Sequence, residues 1–161
     1  MEYPLTYAVK HKNFNIRIKS RSGGVFTALS DSILAEVGVI YGCSLDNNYC
    51  AIHRRAANKS ERDLFRGSKY IQSNLNNTFV EVKKDIISGI HVMFSGTSCQ
   101  ISGLRTFLSS LNTSNLICVD IVCHGVPSPE VWINYLKDFE NKYNGKITSV
   151  EFRNKIKYGN F

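Results

Sequence analysis

The chain has 161 residues, 43% of them hydrophobic and 20% charged, the balance of one globular domain long enough to bury a core. Its net charge of +7 is scattered, densest at Lys10, Lys12, Arg17, Lys19 and Arg21, and accompanied by no recognition motif, so no nucleic-acid partner is expected. No apolar run nears the roughly 20 residues of a membrane span, the N-terminus lacks the apolar core of a secretion signal, and five cysteines, an odd number, argue against a disulfide framework; together these predict a cytoplasmic protein with reduced thiols.

In chain order, residues 3–19 are expected to be extended and strand-forming, broken at Asn13. After Arg21-Ser22-Gly23-Gly24, Val25, Phe26, Leu29, Ile33, Leu34 and Val37 recur at helical spacing, which predicts a helix capped by Ser22 and ended at Gly38. The small turn before this helix leaves backbone N–H groups free, which suits a phosphate; a plain capped helix has the same residues. Runs 39–45 and 49–56 predict two strands joined by a hairpin turn at Asp46-Asn47-Asn48. Cys43 and Cys50 in those runs read as ordinary half-buried thiols, and His53, beside Arg54 and Arg55, as a surface residue.

Residues 61–66 form a short helical turn closed by Gly67, followed by Ser68-Lys69-Tyr70-Ile71-Gln72-Ser73. That segment is too polar for a simple strand. Its cation, aromatic face and hydroxyls could hold an aromatic, anionic cofactor, although a solvated loop has similar residues. Residues 78–88 read as an amphipathic helix ended at Gly89.

Two apolar runs, 92–94 and 116–122, then lead into turns that each hold a cysteine: Ser95-Gly96-Thr97-Ser98-Cys99-Gln100 and Cys123-His124-Gly125-Val126-Pro127. A strand, a polar or glycine turn and a helix start is where α/β proteins bind ligands. The helix after the first turn should bury Ile101, Leu104, Phe107 and Leu108. The helix after the second has Ser128 as N-cap and Pro129 in first position, and should bury Trp132, Tyr135, Leu136 and Phe139. Residues 147–152 predict a last strand, after which the chain looks cut short. The expected fold is therefore α/β: one domain over residues 1–161, a mixed β-sheet flanked by helices.

Taken alone, Cys99 could be a nucleophile with His124 or His91 as its base, but no third orienting group is evident. Zinc on Cys118, Cys123 and His124 is another reading, weakened by the poor convergence of an adjacent Cys-His pair.

The ordered segments RSGGVFTAL, VIYGCSLD, RGSKYIQS, VMFSGTSCQISGLRTFL, VDIVCHGVPSPEVWINYL and ITSVEFRNK resemble the coenzyme F(420) hydrogenase/dehydrogenase beta-subunit family over about residues 5–156. That family comprises flavin-dependent iron–sulfur oxidoreductases. The resemblance implies an electron-transfer domain that binds FAD through Ser22, Gly23, Gly24, Ser68, Lys69, Tyr70, Gln72, Ser73, Gly96, Thr97 and Gln100, with Lys69 and Tyr70 as catalytic residues beside the ring. It also implies that Cys99 and Cys123 ligate a 4Fe–4S cluster. Ser98 stands where the family usually has proline, and the ferredoxin-like and C-terminal cysteine-rich segments of longer members are absent from these residues. A 4Fe–4S cluster generally takes four thiolates, so Cys43, Cys50 or Cys118 would have to be recruited. Alternation in the strand points Cys118 away from Cys123. The implied partners are a ferredoxin-like domain or other redox protein, in an oligomer or larger complex. The alternative is a non-catalytic truncated fragment or docking subunit of a redox complex.

Overall fold

The computed structural model describes residues 4–20 and 22–153. Four strands form one mixed sheet, as expected: β1 (Val39–Leu45), β2 (Ala51–Ala56), β3 (Val92–Thr97) and β4 (Leu116–Ile121) in the order β2-β1-β3-β4. β1 and β2 are an antiparallel hairpin in which Ile40 faces Ala56 and Cys43 faces His53. Asp46 makes the turn: its carboxylate accepts the Asn48 and Cys50 N–H groups at 2.8 and 2.9 Å. β3 runs parallel to β1 and to β4, with Val92 opposite both Val39 and Leu116.

Strand alternation divides the core into two layers. On one face Val39, Tyr41, Val92 and Phe94 pack under α4 (Thr78–Ile87) and α5 (Ser98–Phe107), which contribute Val82, Ile86, Ile101 and Leu104. On the other, Ile40, Ala56 and Met93 pack with Phe65 and with Ile33 of α2 (Val25–Ala35). The helix α3 (Lys59–Asp63) is tied to α2 through Arg62, which is only 1% exposed. Its guanidinium donates to the Thr27 carbonyl at 3.1 Å, to the Ser30 hydroxyl, and to Asp31 and Asp63 at 2.8 and 2.9 Å. This explains why the inward side of α2 carries Thr27 and Ser30 while Leu29 stays exposed: that side receives a cation.

Several expectations change. The expected extended segment contains instead the helix α1 (Phe14–Lys19), because the Asn13 side chain accepts the Asn15 and Ile16 N–H groups and nucleates a turn. The alternating Phe14, Ile16 and Ile18 find no strand to pair with among the described residues. Arg21 of the basic cluster and the last residues, 154–161, lie outside the described residues. α2 is capped by Gly24, not Ser22, and ends at Glu36 before Gly38. Residues 147–152 make no strand; the Ile147 N–H goes to Glu140 and its carbonyl to the Tyr49 hydroxyl.

The last helix, α6 (Pro129–Tyr143), begins with the expected Ser128 cap, yet none of its residues is fully buried. Tyr135 and Phe139 are exposed, and α6 docks through Trp132, whose indole donates to the Tyr49 carbonyl at 2.8 Å. Phe107 of α5 is likewise partly exposed, while Ile101, Leu104 and Leu108 are buried. Among the described residues no helix is long and apolar enough to cross a membrane.

Arg62→Met keeps side-chain volume but leaves the Thr27, Ser30 and Asp31 acceptors without their donor. It should cost about 3 kcal/mol, seen as a lower urea midpoint with an unchanged slope; an unchanged midpoint would mean the α2–α3 contact is not held by this cation.

Candidate functional site

The parallel strands β1, β3 and β4 end side by side, and a cavity of about 550 Å³ opens across those ends. That volume lies within the range of ligand sites, and the position is where open α/β sheets bind ligands. Gly42 and Cys43 of β1, Ser95 to Thr97 of β3 and Ile121 of β4 form its floor. Its walls come from the α2 start and from the 67–73 segment, which the Gln72 N–H ties to the Pro127 carbonyl of the second cysteine turn at 3.1 Å.

At the α2 end, Gly24 has φ 83, a left-handed conformation that favours glycine. Among the described residues no side chain caps the helix, so its first backbone N–H groups remain donors. Beside them Ser20 is only 8% exposed, and its hydroxyl has no hydrogen-bond partner among the described residues. Ser20, Ser22 and Gly24 all line the cavity, whereas Gly23 lies against the Val9 backbone.

In the 68–73 segment Ser68, Lys69, Gln72 and Ser73 line the cavity, but Tyr70 does not. Its ring meets Phe152 edge-on at 5.8 Å and carries the Arg153 guanidinium over its face at 5.4 Å. The structure thus separates Tyr70 from Lys69, its expected catalytic companion. Lys69 Nζ donates to the Leu64 and Arg66 carbonyls at 3.0 and 3.2 Å. Burial pulls its pKa down to about 8, opposed by the neighbouring Cys43. Burial also pushes the Cys43 thiol upward.

At the first cysteine turn, Gly96, Thr97, Cys99 and Gln100 line the cavity. A Cβ on Gly96 would sit 2.9 Å from both the Gln100 amide oxygen and the Phe94 ring, so only glycine lets these groups close on the turn. Gln100 Oε1 accepts the Thr97 N–H at 3.0 Å and fixes the α5 start. Cys99 Sγ lies 3.2 Å from the Thr97 hydroxyl; Ser98 points instead to Asp120, at 2.9 Å. Cys123 Sγ accepts the Gly125 N–H at 3.3 Å. Both cysteines are exposed and border the same cavity. Cys118 packs on the α4–α5 core, the opposite side, as alternation predicts. Among the described residues no group of three or more His, Cys, Asp or Glu is placed to hold a metal ion.

His53, expected at the surface, is instead 5% exposed and lines the cavity. Its ring stacks on Phe94 with centroids 5.4 Å apart. Nε2 is 3.1 Å from the Ser95 carbonyl and Nδ1 is 2.9 Å from the Ser73 hydroxyl. The adjacent arginines hid it in the sequence; the missed signal is strand alternation with buried Ala51. Nor did the sequence single out Ser20, whose environment depends on the α1 helix.

Residues 90–161 match the family described as the C terminus of the coenzyme F(420) hydrogenase/dehydrogenase beta subunit. No curated protein matches the sequence. Among solved structures the chain is similar to a chain of the F(420)-reducing NiFe hydrogenase complex from Methanosarcina barkeri, in a xenon derivative, at 20% identity and a TM-score of 0.63. The match covers 82% of this chain and 48% of that one, so the chain spans about half the length of its solved neighbour. At this identity the likeness is one of fold.

The fold defines an α/β domain with a cavity across the ends of its parallel strands. Over residues 90–161 the similarity to the coenzyme F(420) hydrogenase/dehydrogenase beta-subunit family read from the motifs is borne out by the family match.

Burial lowers the His53 pKa from the usual 6.5, opposed by its bond to Ser95 and helped by Lys69. The unfolded chain therefore binds the proton more readily. The contribution of this group to stability is complete above about pH 6.5 and is lost as pH falls toward the depressed folded value. Between pH 7 and 5, His53→Gln should show a shallower fall in urea midpoint than the parent; equal slopes would contradict a buried neutral imidazole.

Proposed function

We propose that the chain is a flavin-binding electron-transfer domain that holds FAD in the strand-end cavity. The observation that carries this reading is the uncapped start of α2 beside the buried, unpartnered Ser20 hydroxyl. Backbone N–H groups at a helix N-terminus and a free hydroxyl are what a pyrophosphate takes. Ser22 and Gly24 border that spot, while Lys69, Gln72, Ser73, Gly96, Thr97 and Gln100 line the remaining cavity and suit the ring. When bound, FAD supplies the exchange of two electrons for one, and its donor and acceptor are other proteins or small redox molecules.

The chain's own part is binding and electrostatics. The Lys69 ammonium, fixed by two carbonyls, offers positive charge beside the site and favours an anionic ligand. Tyr70, with its ring turned to Phe152, does not line the cavity. The residues fit a flavin better than a complete 4Fe–4S cluster. Cys43, Cys99 and Cys123 border the cavity, three thiols where four thiolates are needed; among the described residues no three such groups are placed to hold a metal, and Cys118 faces the other way. The family resemblance supports a redox partner protein and a larger assembly.

A second reading, a docking subunit without cofactor, draws on the exposed aromatic side of α6. The two part on FAD affinity and its pH dependence. With Lys69 titrating near 8, FAD binding should weaken as pH rises from 7 to 9, because the ammonium is lost. Lys69→Met should bind roughly tenfold more weakly at pH 7 and lose that pH dependence. Equilibrium dialysis or fluorescence titration measures both; absence of FAD binding at every pH would favour the docking subunit.

A further inference from the structure

The hydrogen bonds under the cavity have a fixed direction, and His53 sets it. Ser95 presents a carbonyl oxygen to His53 Nε2, and a carbonyl can only accept. Nε2 therefore carries the ring hydrogen. In the neutral imidazole Nδ1 is then a bare acceptor, and it takes the hydroxyl hydrogen of Ser73. The Gln100 carboxamide is oriented as firmly, because its oxygen accepts the Thr97 N–H. Its NH₂ group is thereby turned to Ser73 Oγ, at 2.8 Å.

Each group has one capacity left. Ser73 gives its hydrogen to His53 and accepts from Gln100, which leaves it one lone pair; the Cys43 thiol beside it gives its own hydrogen to the Ser44 carbonyl, at 3.8 Å. Gln100 has a second N–H, for which the described residues supply no acceptor. Both residues line the cavity, so its floor carries an acceptor and a donor side by side.

We infer that Ser73 and Gln100, oriented by His53, form a subsite for the cyclic imide edge of a ligand ring, an N–H flanked by carbonyls. The ring N–H meets the Ser73 lone pair, and an adjacent carbonyl meets the Gln100 N–H. The proposal rests on the flavin reading and deepens it: the pyrimidine end of an isoalloxazine carries this edge, and a deazaflavin carries it too. His53 itself is a positioning residue. Were the Ser73 hydroxyl free to rotate, the floor could present two donors, which suit a carboxylate and not an imide.

The test compares FAD with its N3-methyl derivative, which keeps the ring, the carbonyls and the pyrophosphate but lacks the imide hydrogen. Fluorescence titration of the purified chain should show the methylated ring binding roughly tenfold more weakly. His53→Asn, which places an oxygen near the position of Nδ1, should keep most of that discrimination. His53→Leu, which frees the Ser73 hydroxyl, should bind the two rings within about twofold of each other. A merely structural histidine would not move this ratio. Equal binding of the two rings by the parent chain overturns the subsite while leaving the flavin reading intact, as does full discrimination in His53→Leu. If neither ring binds, the flavin reading fails and the subsite falls with it.

Discussion

Parallel pairing of β3 with both β1 and β4 is the constraint from which the site follows. Parallel strands end at the same edge of the sheet, so three carboxyl ends and the turns after them converge without any long-range coincidence in the loops. The hairpin β2 closes one side and brings His53 opposite Cys43 at that edge. The helices follow the same logic. α5 starts at the end of β3, and α2 lies on the other face with its N-terminus in the cavity.

Buried polar groups then specify what lies at that edge. Arg62 locks α3 to α2 through acceptors that would otherwise be costly to bury, and this holds the α2 start against the sheet. His53 plays the corresponding part on the floor, between Ser95 of β3 and Ser73 of the 68–73 segment. Both link elements far apart in sequence and give them one arrangement. Ser20 is the contrast: a buried hydroxyl lacking such a bond among the described residues, at the place proposed for a phosphate.

Much of this order was legible in the sequence because local signals and tertiary packing agree. The hairpin, β3 with its glycine turn, and the Ser128-Pro129 helix start are each specified by turn and cap chemistry, and the structure contains them. The errors fall where local pattern and tertiary context part. Phe14, Ile16 and Ile18 alternate like a strand, but an asparagine cap turns them into a helix away from the sheet. The aromatic stripe of α6 has helical spacing without a layer to cover it, so periodicity gave the helix and overstated its burial. His53 and Arg62 are polar residues whose partners lie 42 and 35 residues away, at Ser95 and Thr27, beyond any local window. Tyr70 shows the reverse limit: a motif places it beside Lys69, while the backbone turns its ring to Phe152.

The central claim is that these strand ends hold a flavin using this chain's own residues. Anaerobic reconstitution of the purified chain with FAD, iron and sulfide, followed by gel filtration and an absorption spectrum of the protein peak, tests it most directly. Near-equimolar flavin absorbance should co-elute with the chain and be retained in Cys99→Ala and Cys123→Ala. A folded, colourless protein peak would contradict it.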